Sequence, residues 1–373
     1  MAHLTTKRVL FVDQYGELGG GQKVLLSLIR GALQAGSIVS VMAPSGGTLE
    51  STISREFKGD VAYIACEEPK LSHGRKGIAD ILRLIVYGWR FRRHQGLMRQ
   101  QDIIYVNGLR HLTHLLILTR RMNARLIHHV HLRHSGFEKL LLRWAANSKR
   151  TFALVVNSRF VQQDLGINSP RIRLIENALD RKFAELKFND RFTTENCWNA
   201  AVLGTIRPEK GQDIAIAALR HRTDVILHII GREGEGAEEW VSTLKDGATT
   251  NVNFVGPAAD AIEALARHEI QFNLVPSRWA EPFGLVAIEG MACSCLTIVS
   301  GRGGLAEIAE RTGALIAPDA ESLRSLMNEL MARAPDELAK LARAQFARTV
   351  AEYSPVRFEA EISALIQEAA AVS

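Results

Sequence analysis

Several features are scarce or absent in this sequence, and each absence excludes a class of protein. The 373 residues include four cysteines, too few and too scattered for a disulfide framework. No run of about 18 apolar residues occurs, so no segment is predicted to span a membrane. No signal peptide is predicted at the start of the chain. We therefore expect a cytoplasmic protein in a reducing compartment.

Motifs for metal ions and common nucleotide cofactors are also missing. Cys293-Ser-Cys295 has no second pair of ligands at zinc spacing. The glycine run Gly16-Glu-Leu-Gly-Gly-Gly21 has no G-x-G-x-x-G in register, and Gly204-Thr-Ile-Arg-Pro-Glu-Lys-Gly211 lacks the Gly-Lys-Ser/Thr of a phosphate-binding P-loop. The sequence therefore predicts no metal site and no bound cofactor.

Charge is distributed unevenly along the chain. Residues 1–175 carry 26 Lys and Arg against 11 Asp and Glu, whereas residues 176–373 carry 20 against 29. The basic half favours an anionic partner, either a membrane surface or a polyanion. No aromatic residues alternate with the basic ones as base stacking requires, so nucleic acid is not expected.

A candidate for membrane contact lies within residues 76–99. One helical stripe would hold Ile78, Ile81, Leu82, Ile85, Val86 and Trp89, with Lys76, Arg83 and Arg90 opposite and Arg92, Arg93 and Arg99 following. This pattern is typical of a helix lying in the plane of an anionic membrane surface. It equally fits a core-facing helix with a solvated basic face.

Strand and helix patterns alternate through the whole chain. Apolar β-branched runs predict strands at Lys7–Asp13, Ile38–Ala43, Val61–Ala65, Asp102–Asn107, Arg125–His131, Ala153–Asn157, Ile172–Ile175, Ala200–Leu203, Val225–Ile230, Asn253–Val255, Ile270–Val275, Leu296–Val299 and Ala314–Ile316. Residues 178–199 are polar and aperiodic and are predicted to be a linker. The chain is therefore expected to be α/β, with Rossmann-like domains at 1–177 and 200–352, parallel sheets with helices on both faces, and a ligand cleft between the domains.

The most informative stretch is Glu281-Pro-Phe-Gly-Leu-Val-Ala-Ile-Glu289. Gly284 allows a close backbone approach to a ligand, and a helix starting there would direct its free N–H groups and positive dipole end at an anion. Glu289 follows Leu285 at i+4, on the same helix face. The two carboxylates are therefore candidates for binding one ligand.

Other predicted strand ends in the second half suit the same ligand. Arg207 and Lys210 place two cations where a diphosphate would bind, and Gly231 begins the turn after the next strand. Gly303 and Gly304 form another glycine-rich turn, followed by Glu307. Each feature alone also fits an ordinary surface turn, and Glu307 an ordinary acid in the first turn of a helix.

These residues resemble the nucleotide-sugar domain of the family 4 (group 1) retaining glycosyltransferases, which have the GT-B fold. The matching positions are Gly204 to Lys210-Gly211, Val255-Gly256, Pro276-Ser277, Glu281 to Glu289 and Gly303 to Glu307. In the first half Gly19-Gly20-Gly21-Gln22, His131, Val156-Asn-Ser158 and Ile175 to Asp180 are similar to family motifs. Gln22 stands where the family commonly has an acid, and Ala178 where it has a glycine.

The resemblance implies a role for each residue. Arg207 and Lys210 would neutralise the leaving diphosphate in place of a metal, for which no Asp-x-Asp motif is present. Glu281 would face the donor sugar, and His131 would approach the reaction centre from the other domain, with His128 and His129 as competitors. Gly19, Gly20, Gly21 and Gln22 would border the phosphate or the acceptor. The remaining donor-binding positions would be Gly204, Gly231, Ser277, Phe283, Gly284, Leu285, Glu289, Gly303, Gly304 and Glu307. Of these, Glu289 would accept hydrogen bonds from the ribose hydroxyls. The family also commonly returns its last helix to the first domain, here residues 353–373.

The expected activity is transfer of a hexose-type sugar from a nucleotide-diphosphate sugar to a saccharide or lipid-linked acceptor, with retention of configuration and without a metal. Synthesis of cell-surface polysaccharide or glycolipid is the expected setting. Two alternatives remain: another GT-B enzyme, such as a nucleotide-sugar epimerase or a phosphorylase, and a non-catalytic protein that binds carbohydrate or a polyanion.

Overall fold

The computed structural model describes residues 6–67, 86–119, 122–193, 197–258 and 260–371. The chain divides into two compact units: the first holds the residues up to Asn177 and those from Val356 onward, and the second holds Ala178–Pro355. Within the described ranges, no helix combines the length and apolar character needed to cross a membrane.

The first unit is built on a seven-stranded parallel sheet in the order β3-β2-β1-β4-β5-β6-β7. Its strands are β1 (Arg8–Asp13), β2 (Ile38–Pro44), β3 (Val61–Cys66), β4 (Ile103–Asn107), β5 (Arg125–Val130), β6 (Thr151–Val156) and β7 (Ile172–Leu174). Its helices are Gly20–Gln34, Thr48–Phe57, residues 86–91, Gln95–Met98, Leu112–Leu118, Gly136–Asn147, Arg159–Leu165 and Pro355–Ala371, with a 3-10 turn at Arg92–His94.

The second unit has a six-stranded parallel sheet in the order β10-β9-β8-β11-β12-β13. Its strands are β8 (Trp198–Leu203), β9 (Val225–Ile230), β10 (Val252–Gly256), β11 (Phe272–Val275), β12 (Leu296–Val299) and β13 (Leu315–Ile316). Its helices are Arg181–Ala184, Gln212–Leu219, Glu238–Asp246, Ala261–Arg267, Leu285–Ala292, Gly304–Thr312, Ala320–Met331 and Pro335–Glu352, with a 3-10 turn at Pro208–Lys210.

The predicted fold class is confirmed: both sheets are parallel, with helical connections between strands. Continuous apolar runs such as Val9–Val12 are fully buried, as expected for strands covered on both faces. In each sheet the strand order reverses beside the first strand of the unit, between β1 and β4 and between β8 and β11. Such reversal points open a crevice at the carboxyl ends of the strands, where ligands bind in doubly wound sheets.

Two segments differ in detail from the sequence expectation. Residues 178–199 group with the second unit, and Leu179, Phe183 and Phe192 are buried there, because these scattered apolar residues find partners in its core. The strand before His131 ends at Val130, so His131 begins the following loop.

The last helix, Pro355–Ala371, packs on the first helix of the first unit. A Cβ on Gly31 would lie 2.8 Å from Ile362 Cβ, so the glycine permits close contact between the two helices. The residues from Val356 onward belong to the first unit for this reason.

The predicted amphipathic segment 76–99 is only partly described, since residues 76–85 lie outside the described ranges. In the part that is described, Tyr87 and Phe91 face the core of the first unit, while Val86 and Trp89 are exposed. Val86 and Trp89, the two described members of the predicted stripe, therefore face solvent, because Tyr87 and Phe91 make the core contacts of this helix.

Candidate functional site

The first cluster of predicted site residues lies at the strand-order reversal of the second unit. The loop after β8 and the loop after β11 touch here, since a Cβ on Gly211 would lie 2.1 Å from the carbonyl oxygen of Pro276. Gly211 has a φ of 72° and links the 3-10 turn Pro208–Lys210 to the helix Gln212–Leu219. The turn directs Lys210 toward the loop after β11.

Glu281 is the centre of this cluster. Lys210 Nζ lies 2.6 Å from Glu281 Oε1, and the Ser277 hydroxyl donates to the same oxygen at 2.7 Å. The backbone carbonyl of Glu281 accepts from the amide of Gly304 at 2.7 Å. Glu281 and Ser277 are buried, so a carboxylate with a fixed orientation and its cation lie together at the carboxyl edge of the sheet. Three of the predicted residues, Lys210, Ser277 and Glu281, are thus brought into direct contact.

Trp279 was not predicted and belongs to the same cluster. The ammonium group of Lys210 lies 5.5 Å from the centre of the Trp279 ring, a distance suited to a cation–π interaction. Together with the carboxylate of Glu281 the ring fixes the position of the lysine charge. Only the proximity of Trp279 to Glu281 in sequence could have indicated it.

Arg207 is held by a different part of the edge, the turn after β9. Its guanidinium Nη2 donates to the carbonyl oxygen of Glu235 at 3.2 Å, and Nη1 lies 3.6 Å from Glu209 Oε1. A Cβ on Gly234 would lie 2.3 Å from the Arg207 side chain, so this glycine makes room for it. Gly234 was not among the predicted site residues, because its role depends on Arg207, 27 positions away in the chain.

The helix Leu285–Ala292 begins at the same edge, as the sequence predicts. Gly284 precedes it with a φ of 118°, a conformation that L residues rarely adopt. Glu289 lies one turn after Leu285 and is buried. The Phe283 ring packs edge-on against Tyr353, with centroids 5.6 Å apart, so only the backbone of Phe283 remains for the predicted contact with a donor. The amide groups of the first turn give this edge a positive end of a helix dipole.

The predicted glycine turns lie around this cluster. A Cβ on Gly231 would lie 1.8 Å from the carbonyl oxygen of Gly204, so the turns after β8 and β9 are in contact. Gly303 pairs with Glu281 in an isolated parallel bridge. Glu307 is half-buried in the first turn of the helix Gly304–Thr312, where an acid is also favoured by the helix dipole.

The first unit has its own polar cluster at the corresponding reversal point. Asp13 ends β1 and Asn107 ends β4, and the two residues are register partners in the sheet. Asn107 Nδ2 donates to a carboxylate oxygen of Asp13 and to the carbonyl of Gly21, while Gln22 Nε2 donates to Asp13 at 2.9 Å. Gly19 is the N-cap of the helix Gly20–Gln34, which carries Gly20, Gly21 and Gln22 in its first turn. Burial raises the pKa of Asp13 above its usual range.

His131 is the end of this chain of contacts. Its Nε2 lies 2.6 Å from Asn107 Oδ1. Because the Asn107 amide nitrogen already donates to Asp13 and Gly21, its oxygen must accept, and His131 therefore carries its proton on Nε2. Burial, with a smaller contribution from His134, lowers the pKa of His131 to about 4, so the ring is neutral near pH 7.

The competing histidines of β5 are buried in the same unit. The ring of His129 stacks on that of His131, with centroids 4.2 Å apart, and its Nδ1 lies 3.0 Å from the hydroxyl of Tyr105. Neither ring nitrogen of His128 has a hydrogen-bond partner in the described structure, and burial lowers its pKa to about 3. His131 alone of the three combines a polar partner with a position after the strand.

A cavity of about 430 Å³ adjoins these residues within the first unit. His131, Asn107 and Gly21 line it, as do Tyr15 and Glu138. Its volume and its mixture of polar and aromatic side chains are in the range of small-ligand sites. Asp13, Asn107 and the cavity were not predicted; the one signal that the sequence contains is that both residues are polar and end predicted strands.

Among the residues that the structure describes, no group of three His, Cys, Asp or Glu could hold a metal ion. The predicted metal independence stays a prediction.

Comparison with known proteins gives the context of both clusters. Residues 185–346 match the model of "Glycosyl transferases group 1", and residues 18–183 match that of "Glycosyltransferase Family 4". An uncharacterised glycosyltransferase of Methanocaldococcus jannaschii is 34% identical over 106 residues, which are 28% of this chain and 29% of that protein. The D-inositol 3-phosphate glycosyltransferase of Mycobacterium ulcerans is 30% identical over 118 residues, 30% of this chain and 25% of that protein. The chain thus spans less than a third of the length of these two relatives.

A solved structure extends the likeness to the fold. The Anabaena protein Alr3699/HepE, crystallised with UDP, with UDP and glucose, and with UDP-glucose, superposes with a TM-score of 0.79 in each case. In the UDP-glucose complex it is 19% identical and the match covers 97% of this chain and 100% of that one. Both units have the alternating parallel architecture of GT-B glycosyltransferases, and the two family models together cover most of the chain. The chain belongs to the group 1 glycosyltransferases, family 4.

Proposed function

We propose that this glycosyltransferase moves a hexose-type sugar from a nucleotide-diphosphate sugar to a saccharide or lipid-linked acceptor, retaining the anomeric configuration and using no metal ion. The observation that carries the proposal is the contact of Lys210, Ser277 and Glu281 at the reversal point of the second sheet. The nucleotide sugar bound by the Anabaena neighbour supports a donor of this class. Synthesis of cell-surface polysaccharide or glycolipid, at the cytoplasmic face of a membrane, is the proposed setting.

The charges of the second unit suit departure of a diphosphate. Negative charge grows on the diphosphate as the bond from its oxygen to the sugar breaks, so fixed cations bind the transition state more strongly than the ground state. Lys210 is fixed by Glu281 and Trp279, and Arg207 by the carbonyl of Glu235. These positions exist before the donor binds, so little reorganisation is needed during the reaction. The first-turn amides of the helix Leu285–Ala292 add to the same field.

The carboxylates are proposed to bind hydroxyl groups. Glu281 uses one oxygen for Lys210 and Ser277, and we assign its other oxygen to the donor sugar. Glu289 is assigned to the ribose hydroxyls. Retention then needs no enzymic nucleophile, because the leaving phosphate itself takes the proton of the attacking acceptor hydroxyl on the same face of the sugar.

The cavity of the first unit is proposed to take the acceptor. His131 is neutral there and presents Nδ1 as a hydrogen-bond acceptor, since its proton is on Nε2. Tyr15 and Asn107 offer further polar and aromatic contacts of the kind that saccharides use. The relative named D-inositol 3-phosphate glycosyltransferase supports an acceptor that carries several hydroxyl groups.

The proposal is tested by donor binding and by product analysis. A nucleoside diphosphate should raise the melting temperature of the wild type but not of Lys210→Ala or Glu289→Ala. Lys340→Ala, an exposed lysine of the helix Pro335–Glu352, is the matched control and should respond as the wild type does. A stabilisation that survives in both site variants would contradict the proposed site.

A panel of nucleotide sugars then identifies the donor by hydrolysis or transfer. NMR of the product should show the anomeric configuration of the donor, and a chelator should leave the rate unchanged. An inverted product would exclude the retaining mechanism. Interconversion of the nucleotide sugar without any transfer would instead favour an epimerase, and formation of a sugar phosphate from a saccharide and inorganic phosphate would favour a phosphorylase.

A further inference from the structure

One helix of the first unit exposes a stripe of large apolar side chains. In the helix Gly136–Asn147, Phe137 is 71% exposed, Leu140 59% and Trp144 42%. Their spacing of three and seven residues places them on one side of the helix. The opposite side carries Leu142, which is buried in the core, so the helix is docked in its unit and still leaves this stripe uncovered. We call Phe137, Leu140 and Trp144 the apolar stripe.

Neighbouring helices extend the exposed apolar surface. The helix Leu112–Leu118 packs against Gly136–Asn147 and exposes Ile117. Residues 86–91 adjoin that helix in turn, because a Cβ on Gly88 would lie 2.2 Å from the His114 ring. Trp89 in this segment is 72% exposed. The helices share one core cluster with the buried side chains Tyr87, Phe91, Leu112, Leu115, Leu142 and Ala145, and so lie on one face of the sheet.

The charge of this region is mainly positive, although Arg90 and Arg93 pair with Glu67 and Arg133 pairs with Asp164. Residues 86–150 carry 13 Lys and Arg and two acids, Asp102 and Glu138. Asp102 pairs with Lys7 at 3.7 Å, and Glu138 lies 3.0 Å from the imidazole of His134 and lines the cavity. Neither acid belongs to the apolar stripe. Arg143 is exposed on the same helix, directly before Trp144.

We propose that the apolar stripe, with the exposed Arg143 on the same helix and the exposed Trp89 two helices away on the same face of the sheet, docks the first unit in plane on an anionic lipid bilayer. Aromatic and aliphatic side chains on one side of a helix, bordered by basic residues, are the composition that inserts at the boundary between head groups and acyl chains. The basic residues meet anionic head groups, and each one near the surface changes partition by about fivefold. A nucleic acid would match the charge but leave the phenyl and leucine side chains without an apolar partner.

The position of the helix connects docking with the acceptor. Glu138 and Leu142 of the same helix line the cavity that holds His131 in its wall. A helix lying in the head-group region would therefore bring this cavity to the membrane surface, where a lipid-linked saccharide is presented. This connection deepens the proposed function and rests on it, whereas the docking itself depends only on the stripe and its charge.

The test is cosedimentation of the full chain with vesicles of phosphatidylcholine alone and of phosphatidylcholine with phosphatidylglycerol. The wild type should bind the anionic vesicles at least tenfold more strongly than the neutral ones, and high salt should weaken the binding. The triple variant Phe137→Ser/Leu140→Ser/Trp144→Ser should lose at least tenfold in binding. Its side chains are exposed, so its unfolding transition should remain that of a folded protein.

A matched control removes apolar side chains elsewhere. Ile226→Ser/Ile316→Ser alters two exposed isoleucines of the second unit and should bind vesicles as the wild type does. A second measurement follows tryptophan fluorescence: brominated lipid should quench the wild type more than Trp144→Phe, which keeps an apolar residue at the stripe and should still bind.

Equal and negligible binding of the wild type to both vesicle types would overturn the proposal. So would full binding by the triple variant, or a self-association in sedimentation velocity that the triple variant abolishes while no vesicle binds, since a second copy would then be the occupant. Lys210→Ala should bind vesicles normally. A protein that docks but shows no donor binding would therefore contradict the proposed function alone.

Discussion

Removal of Lys210 should separate the structural role of this residue from its role in donor binding. In the variant Lys210→Met the buried carboxylate of Glu281 loses its cation and keeps only the hydrogen bond from Ser277. Breaking a fully buried ion pair costs about 3–5 kcal/mol. Because the Lys210 side chain is 29% exposed and partly screened by water, we expect a loss of about 2 kcal/mol in the free energy of unfolding. For a unit of this size that lowers the melting temperature by about 4–8 °C.

The double variant Lys210→Met/Glu281→Gln makes the test decisive. With the carboxylate replaced by a neutral amide that can still accept from Ser277, no charge is left unpaired, so most of the lost stability should return, to within about 1 kcal/mol of the wild type. Donor binding should be absent in both variants, because the cation for the diphosphate is missing. The assays are urea unfolding of the full chain and the shift in melting temperature with a nucleoside diphosphate.

Two results would refute this reasoning. If Lys210→Met is as stable as the wild type, the Lys210–Glu281 contact carries no net stabilisation in the folded protein. If the double variant recovers both stability and the response to a nucleoside diphosphate, the lysine charge is not part of the donor site.

Three further predictions concern backbone strain, pH and the orientation of a ring. Gly284→Ala should cost about 2–4 kcal/mol in unfolding free energy, because a φ of 118° is strained for alanine and the new Cβ would lie 2.4 Å from a leucine side chain. The control Gly204→Ala, with a φ of 121° and no atom within 4 Å of its Cβ, should cost only about 1–2 kcal/mol. Equal costs for the two variants would contradict the packing argument. The pKa of His128 in the folded protein, about 3, lies below its ordinary value of 6.5, so the free energy of unfolding falls as the pH drops from 6.5 toward 3. In urea titrations at successive pH values, His128→Leu should flatten that dependence by up to about 1.4 kcal/mol per pH unit. An unchanged slope would show that His128 titrates normally. Asn107→Leu should convert His131 from the Nε2–H form to a mixture of tautomers, which the nitrogen NMR shifts of the imidazole would measure. A mixture of tautomers already present in the wild type would exclude the assigned hydrogen bond.

The two units place their polar clusters at equivalent points, which explains why some site residues could be predicted and others could not. Glu281 and Lys210 stand out in the sequence because they accompany glycines at predicted strand ends. Asp13 and Asn107 do not, since each is a common polar residue at the end of an apolar run. They become a pair only because β1 and β4, whose residues are 94 positions apart, are neighbours in register.

The sequence did not single out the helix Gly136–Asn147: the predicted candidate for exposed apolar residues was the segment 76–99, of which the described Val86 and Trp89 are exposed. Hydrophobic periodicity shows that a helix has an apolar side, but not whether another element covers it. In the helix Gly136–Asn147, Leu142 and its buried neighbours make the core contacts, and the core does not cover Phe137 and Trp144. Only the packing of the whole unit shows which side chains of a helix the core covers.

The sequence by itself determined the order and type of the elements, the two parallel sheets and the carboxyl edge at which donor chemistry should be sought, because local periodicity, glycine turns and strand ends are encoded within a few residues of one another. Only the tertiary structure decided which of those strand ends meet. The contact of Lys210 with Glu281, the chain from Asp13 through Asn107 to His131 and the uncovered stripe on Gly136–Asn147 all depend on distances between residues far apart in the chain. Such distances are set by the packing of whole strands and helices, which no local pattern contains.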